Sequence, residues 1–206
     1  MLFRDRSDAG QKLAAKLDYL TAEMPIVLGL PRGGVPVAAQ VAHALNAPLD
    51  VIVVRKLGVP YNDEFAMGAI GENVEVLNEG TIRSLGVTRE QLQRVRAREQ
   101  KELARRLVRF RNDRPPLDLH GRTAVVVDDG IATGATAHAA CQVVRALGAS
   151  RVVLAVPVSS LAFVPGDNID EFVSLHRPAH FMAIGQWFTD FTQTTDDEVL
   201  RWLNPS

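Results

Sequence analysis

Val125-Val126-Val127-Asp128-Asp129-Gly130-Ile131-Ala132-Thr133-Gly134-Ala135-Thr136 reads as a buried strand that ends on two carboxylates and turns into a helix. The β-branched run suits a central strand. Ala139, Ala140 and Val144 carry the helical apolar spacing onward from the Thr-Gly-Ala-Thr turn. Backbone N–H groups at such a helix start, with the Thr133 and Thr136 hydroxyls, suit a phosphate monoester. The carboxylates suit sugar hydroxyls or a hydrated metal, and one ligand that carries both parts is a phosphorylated ribose. Successive side chains on a regular strand point to opposite faces, so Asp128 and Asp129 reach one sugar only if the strand has begun to turn. Gly130 allows that turn.

Working outward, two further strand ends carry compatible chemistry. Leu28-Gly29-Leu30-Pro31-Arg32-Gly33-Gly34-Val35 is again a strand, a glycine-rich turn and a helix start. Gly33 and Gly34 allow positive φ and close backbone approach, and Arg32 supplies the charge that a diphosphate needs. Val53-Val54-Arg55-Lys56-Leu57-Gly58 puts adjacent cations at the end of a neighbouring strand, where open α/β sheets bind ligands.

Around these segments short apolar runs alternate with helical ones, the rhythm of a parallel sheet. The expected order is a helix over Asp8 to Glu23, a strand over Pro25 to Leu30, a helix over Gly34 to Leu45 and a strand over Leu49 to Val54. A short strand at Val74 to Leu77 and a long charged helix from Thr88 to about Arg111 follow. Then come a strand at Thr123 to Asp128, a helix at Ala135 to Leu147 and a strand at Arg151 to Val156. After Pro157 the rhythm weakens, with strands expected at Phe172 to Leu175 and Phe181 to Ile184 and a closing helix at Asp196 to Leu203. The expected fold is a single α/β domain over residues 1–206, a Rossmann-like parallel sheet flanked by helices. Its core spans about 24–157, and a small C-terminal hood spans about 158–206, to which residues 1–23 can contribute.

With 206 residues, 47% of them apolar, the chain can bury one sizeable core, and its formal charge of -1 offers no general affinity for polyanions. It lacks a run of about 18 apolar residues, and Met1-Leu2-Phe3-Arg4 has no basic-then-apolar signal, so a cytoplasmic protein without a membrane partner is expected. The lone Cys141 falls on an apolar helical stripe with Ala137, Ala140 and Val144 and reads as a core thiol. His176 and His180 flank Pro178, and no Cys or acidic set completes a metal site. The long helix carries Arg89, Arg94, Arg96, Arg98, Lys101, Arg105, Arg106, Arg109 and Arg111. Glu90 with Arg94 and Glu102 with Arg106 are i,i+4 pairs, and Leu92, Val95, Leu103, Leu107 and Phe110 make an apolar seam. That pattern favours a solvated amphipathic helix over a nucleic-acid surface. Arg4 and Arg6 can reach a phosphate or a partner subunit, and the sequence leaves the choice open.

These residues resemble the type I phosphoribosyltransferases, which use phosphoribosyl pyrophosphate (PRPP) as donor or bind it as regulators. Val127 to Thr136 is similar to that family's PRPP signature, Arg32-Gly33-Gly34 stands where the family has its pyrophosphate loop, and Val54-Arg55-Lys56-Leu57-Gly58 is similar to the Arg-Lys strand end of adenine-type members. The resemblance covers roughly Ile26 to Val156. His180 to Phe188 is more loosely similar to the hood of purine members, where an aromatic side chain stacks on the base, which marks Phe181 and Trp187 as base-binding candidates.

The resemblance implies Mg²⁺-dependent transfer of a 5-phosphoribosyl group from PRPP to a purine-like nucleobase or another small nitrogenous acceptor, with release of pyrophosphate, by a homodimer. It places Asp128 and Asp129 at the ribose as catalytic groups and Gly130, Ile131, Ala132, Thr133, Gly134, Ala135 and Thr136 around the ribose phosphate. Arg32, Gly33, Gly34, Arg55 and Lys56 fall on the diphosphate side, with Mg²⁺ held mainly by PRPP itself. Ala132 occupies the place of an aspartate of hypoxanthine/guanine-type members and cannot exchange a proton. Adenine-type members use a glutamate from a mobile loop, which corresponds here to Tyr61 to Asn73. Glu64 and Glu72 are the candidates, and Glu72 is preferred. Two other readings are a PRPP-sensing regulator that binds nucleic acid through the basic helix and a phosphoribosyl-compound hydrolase.

Overall fold

Five parallel strands form the central sheet: β1 (Ile26–Gly29), β2 (Leu49–Val51), β6 (Thr123–Val127), β7 (Arg151–Val158) and β8 (Glu171–His176), in the order β2-β1-β6-β7-β8. The computed structural model describes residues 2–111 and 114–204, with the side chains of Asp63 and Glu64 outside the description. Every residue of β1 and β6 is buried, as a parallel sheet covered on both faces requires. The alternation of side chains divides these strands between two cores. Ile26, Leu28, Ala124, Val126, Val152 and Leu154 face α5 (Ala135–Ala146) through Ala137, Ala140, Cys141 and Val144. Val27, Val125, Val127, Val153 and Ala155 face Leu13 and Leu17 of α1 (Arg6–Leu17) and Val37 and Val41 of α2 (Gly34–Ala44).

Strand order fixes where a ligand can sit. After β1 the chain moves to one side to make β2 and later returns on the other side of β1 to make β6. Their following loops therefore diverge and leave a crevice at the carboxyl ends of the strands.

The expected strand from Leu49 to Val54 divides. The chain leaves the main sheet after β2 and builds a second, antiparallel sheet from β3 (Val54–Val59), β4 (Asn62–Gly71) and β5 (Val74–Leu77). The stretch from Tyr61 to Asn73, expected to be a loop, is thus mostly strand. Its glycines and alanines have weak strand propensity, but the packing needs their small size: a Cβ on Gly71 would lie 2.4 Å from Val143 of α5. A short helix, α3 (Glu79–Ser84), then leads to α4 (Arg89–Arg111).

Two other expectations change. Glu171–His176 continues the main sheet beside β7, and α1 packs on α2, so neither lies in a separate hood. Phe181 to Ile184 is not a strand; a 3₁₀ turn spans Ile184–Trp187. Just beyond Ile184 the chain pairs with the N-terminal segment, with Phe3 N–H donating to the Trp187 carbonyl (2.9 Å) and Thr189 N–H to that of Phe3 (2.8 Å). The last helix is α6 (Asp196–Leu203), which opens on a capping box between Thr195 and Glu198.

The seam of α4 lies inside the molecule: Val95, Leu103 and Phe110 are buried against Leu57 and Met67, with Leu92 and Leu107 at their edge. Its cations are largely spent within the chain. Arg96 pairs with Glu75, Arg98 with Glu99, Arg105 and Arg106 with Glu102, and Arg109 with Asp196. Arg111 is the deepest: its Nη1 lies 2.5 Å from both Asp50 carboxylate oxygens, Nε 2.7 Å from Glu72 and Nη2 3.1 Å from the Val51 carbonyl. This cation locks α4 to β2 and to the turn between β4 and β5.

Arg111→Ala is predicted to lower the unfolding free energy by about 3–5 kcal/mol, because it leaves the Asp50 charge buried and uncompensated. Urea unfolding measures the loss, and adding Asp50→Asn should recover part of it. A change no larger than that of Arg105→Ala, an exposed pair, would refute the argument.

Candidate functional site

The loops after β1 and β6 are tied together where they leave the sheet, with Leu30 N–H donating to the Val127 carbonyl at 2.9 Å. Gly33 has φ -61, and neither Gly33 nor Gly34 uses the positive φ that glycine permits. Their role is space. A Cβ on Gly33 would stand 2.0 Å from Asp129 Oδ2, and one on Gly34 would stand 2.5 Å from the Val127 carbonyl and 2.8 Å from Asp128 Cα. The close approach that the sequence assigned to a diphosphate is made to the acid end of β6.

Positive φ is needed at Gly134, with φ +80, which begins α5 without a side-chain cap. A Cβ there would stand 2.3 Å from the Phe163 ring, and the first amides of the helix are left without a side-chain cap. Asp128, residues 130–137 and Ile184 line a cavity of about 200 Å³ at this point. The phosphate-compatible turn and one acid thus meet in one space.

Asp129 faces elsewhere. Its Oδ2 accepts a hydrogen bond from Arg6 Nε at 2.8 Å, and its own N–H donates to Asp128 Oδ1 at 2.9 Å. The strand ends at Val127 and the chain bends at Asp129, so the pair lies past the strand alternation, with Asp128 Oδ1 beside Gly34 and Asp129 Oδ2 beside Gly33. Arg6 is the residue that sequence reasoning left undecided. It reaches an acid 123 positions away, and no local pattern could have connected them.

The two acids are electrostatically poised. Burial holds the Asp128 carboxyl well above the usual carboxylate range, and the neighbouring Asp129 charge pushes it further in the same direction. Asp129 is also raised by burial, while Arg6 pulls it back. Cys141 is buried and its thiol is pushed up to about 12, as a packed core thiol should be.

The expected cations separate. Lys56 lies between two cavities, of about 630 Å³ and 680 Å³, that border the start of α5 through Thr136 and Thr133. Arg55 shares the first of them but turns its guanidinium to Glu99 at 2.8 Å. Arg32 stands next to α6, with Nη1 3.7 Å from Asp196. Glu72 is the Arg111 partner already described and lines none of these cavities, so it belongs to the frame. The side chain of Glu64 lies outside the described residues. Among the described residues no group of three or more His, Cys, Asp or Glu side chains could hold a metal ion.

From the tail, the residue that reaches the cavity beside Asp128 is aliphatic. Ile184 lies over Gly130, where a Cβ would be 2.5 Å from its Cγ2. Phe181 and Trp187 pack instead against the cluster of Phe3, Val158 and Phe188. Trp187 also meets the His176 ring edge-on at 4.7 Å. The backbone bond from Phe3 to Trp187 fixes the turn so that the indole faces this cluster.

The phosphoribosyl transferase domain model matches residues 5–172. Two proteins of Mycobacterium tuberculosis, "Putative phosphoribosyl transferase Rv0571c" of strain H37Rv and "Putative phosphoribosyl transferase MT0597" of strain CDC 1551, are each 54% identical over 206 residues. Each match takes in 98% of this chain and 46% of the relative, so the chain spans about half the length of the curated relatives it matches. The crystal structure of TT1426 from Thermus thermophilus is 44% identical, with a TM-score of 0.90 over 98% of both chains. A hypothetical protein from Neisseria gonorrhoeae with bound ppGpp shares the fold at 13% identity, with a TM-score of 0.53 over 98% of this chain and 97% of that one.

Asp128→Asn tests the electrostatics without any ligand. With its native proton affinity raised, the wild-type acid costs stability as pH climbs from the ordinary 3.8 through the higher native value, and the cost stays constant above it. The asparagine side chain keeps the acceptor for the Asp129 N–H and escapes that cost. The variant should melt above wild type at pH 7, with the advantage vanishing below 3.8. A lower melting point at pH 7 would contradict the account.

Proposed function

Because this chain belongs to the phosphoribosyl transferase domain family, we propose that its site binds PRPP and passes the 5-phosphoribosyl group to a nitrogen acceptor, releasing pyrophosphate. The observation that carries the reading is the shared cavity: the uncapped start of α5 and the Asp128 carboxylate open on one space at the switch point of the sheet. The 5′-phosphate would rest on the first amides of α5 with the Thr133 and Thr136 hydroxyls. Ribose hydroxyls would donate to Asp128, whose ionised form places negative charge beside a sugar that gains oxocarbenium character. Lys56, with Arg32 of the 31–34 loop, would serve the diphosphate as it leaves.

In the reaction the bond from ribose C1 to the diphosphate oxygen breaks, with its electron pair leaving on the oxygen, and a bond from the acceptor nitrogen to C1 forms. The charge that grows on the diphosphate calls for fixed positive partners. A Mg²⁺ ion brought mainly by PRPP itself would supply further positive charge against the leaving diphosphate. Ala132 is exposed at the cavity rim and can take no proton from the acceptor, and Ile184 gives the same space an aliphatic wall. A nucleobase or a similar heterocycle that loses its proton to solvent fits these surroundings.

The regulator reading finds less support, because Arg96, Arg98, Arg105, Arg106, Arg109 and Arg111 of α4 are engaged with Glu75, Glu99, Glu102, Asp196 and Asp50. The homodimer implied by family resemblance would need a surface other than the α4 seam, which is buried within the chain. A cytoplasmic location remains part of the proposal; among the described residues no helix is long and apolar enough to cross a membrane.

Incubation with PRPP, Mg²⁺ and a pooled set of nucleobases, followed by mass detection, should reveal a new nucleoside monophosphate and identify the acceptor. Stabilisation by PRPP without any product would keep the donor site and reject transfer. Arg32→Ala should weaken PRPP more than ribose 5-phosphate in calorimetric titrations. Equal losses for the two ligands would remove Arg32 from the diphosphate.

A further inference from the structure

Arg6 joins three segments that are remote in sequence. Its Nε lies 2.8 Å from Asp129 Oδ2, its Nη1 donates to the Thr192 carbonyl at 2.8 Å, and its Cζ stands 4.0 Å from the centre of the Phe191 ring. Both Arg6 and Asp129 side chains are 11% exposed, so the pair is screened far less than a surface ion pair. Phe191 continues the chain of contacts. Its ring lies 5.0 Å from that of Phe188 and fills the space over Gly185, where a Cβ would be 2.8 Å away. Gly185 adjoins Ile184, the residue that lies over Gly130 and lines the cavity.

We propose that Arg6 is a positioning residue for the donor site: it holds the Asp129 carboxylate beside Asp128 at the end of β6 and pins the 184–192 segment that places Ile184 over Gly130. The word donor rests on the function proposed above, whereas the contacts do not. The always-charged guanidinium gives one donor to a carboxylate, another to a carbonyl and a flat face to an aromatic ring at once.

The charges around the pair make the proposal testable by pH. Asp129 is faced by Asp128 from its own strand end, by Arg6 from α1 and by the uncharged Gly33 from the β1–α2 loop. Arg6 in turn is felt by Asp190 from the tail and Glu198 from α6. Arg6 is thus the cation between two site acids and two peripheral ones. Its removal leaves Asp128 and Asp129 competing for one negative charge, and the sugar then meets a carboxyl that stays protonated to higher pH.

Arg6→Gln removes the charge and retains a donor, Arg6→Lys restores the charge without the fork, and Phe191→Leu loosens the tail without touching either acid. PRPP and ribose 5-phosphate affinities are measured by calorimetry from pH 5 to 9, alongside carboxyl titration of the unliganded proteins by ¹³C NMR. In Arg6→Gln the acid limb of binding and the titration of one Asp carboxyl should both move up by about one pH unit or more, as loss of a cation beside a carboxylate predicts. Arg6→Lys should return the limb to the wild-type pH while binding stays weak, and Phe191→Leu should weaken binding with the limb in place. An Arg6→Gln protein that melts lower but keeps its limb and its carboxyl titration would show a merely structural arginine and overturn the proposal. If wild type binds neither ligand, the function falls. The NMR titration then still decides the Arg6–Asp129 coupling: an unmoved carboxyl rejects it and a moved one upholds it.

Discussion

The ends of β1 and β6 approach so closely that no side chain fits between them, and the site follows from that contact. The acid end of β6 fills the space that a Cβ on Gly33 or Gly34 would need, and the Leu30 amide bonds to the Val127 carbonyl across the gap. Two loops that leave neighbouring parallel strands in opposite directions are thereby locked at their roots. The crevice between them keeps its shape because its floor is backbone packed on backbone. The same crowding desolvates the acid pair, which links the geometry of the turn to its electrostatics.

Burial of Asp128 beside Asp129 works against folding, and a structure retains such an arrangement where a ligand repays it. The surrounding contacts differ in weight. Exposed pairs on α4, such as Arg105 with Glu102, are screened by solvent and mainly keep the helix solvated. The Arg111–Asp50–Glu72 network and the Arg6–Asp129 pair are screened from water and join elements far apart in the chain. One fixes the small antiparallel sheet and α4 to the edge of the core. The other fixes the acid end of β6 to the tail that lines the cavity.

Much of the main sheet was legible because its strands carry their own signal. Val-rich runs such as Val125 to Val127 and Val152 to Val156 can only be buried on both faces, and the glycine-bearing turns behind two of them announce helix starts. The second sheet was less legible. Phe65 to Gly71 is rich in small residues chosen for their fit against Val143 and β5, and such residues are poor strand formers by themselves. Phe181 to Ile184 failed in the opposite direction: its apolar residues suit a strand, but the chain turns at Ile184–Trp187, and Trp187 and Thr189 bond to the Phe3 backbone.

By itself the sequence determined the parallel α/β core, the strand ends that carry ligand-compatible residues and the residues that surround the phosphate-compatible turn. Each depends on neighbours within about one strand-turn-helix unit. Only the tertiary structure decided which acid faces the cavity, that Arg6 holds the other, that Ile184 in place of Phe181 or Trp187 lies over Gly130, and that Glu72 serves Arg111. Those choices depend on side chains brought together from more than a hundred positions apart, as with Arg6 and Asp129, or on competition for a single partner. Local periodicity carries no record of either.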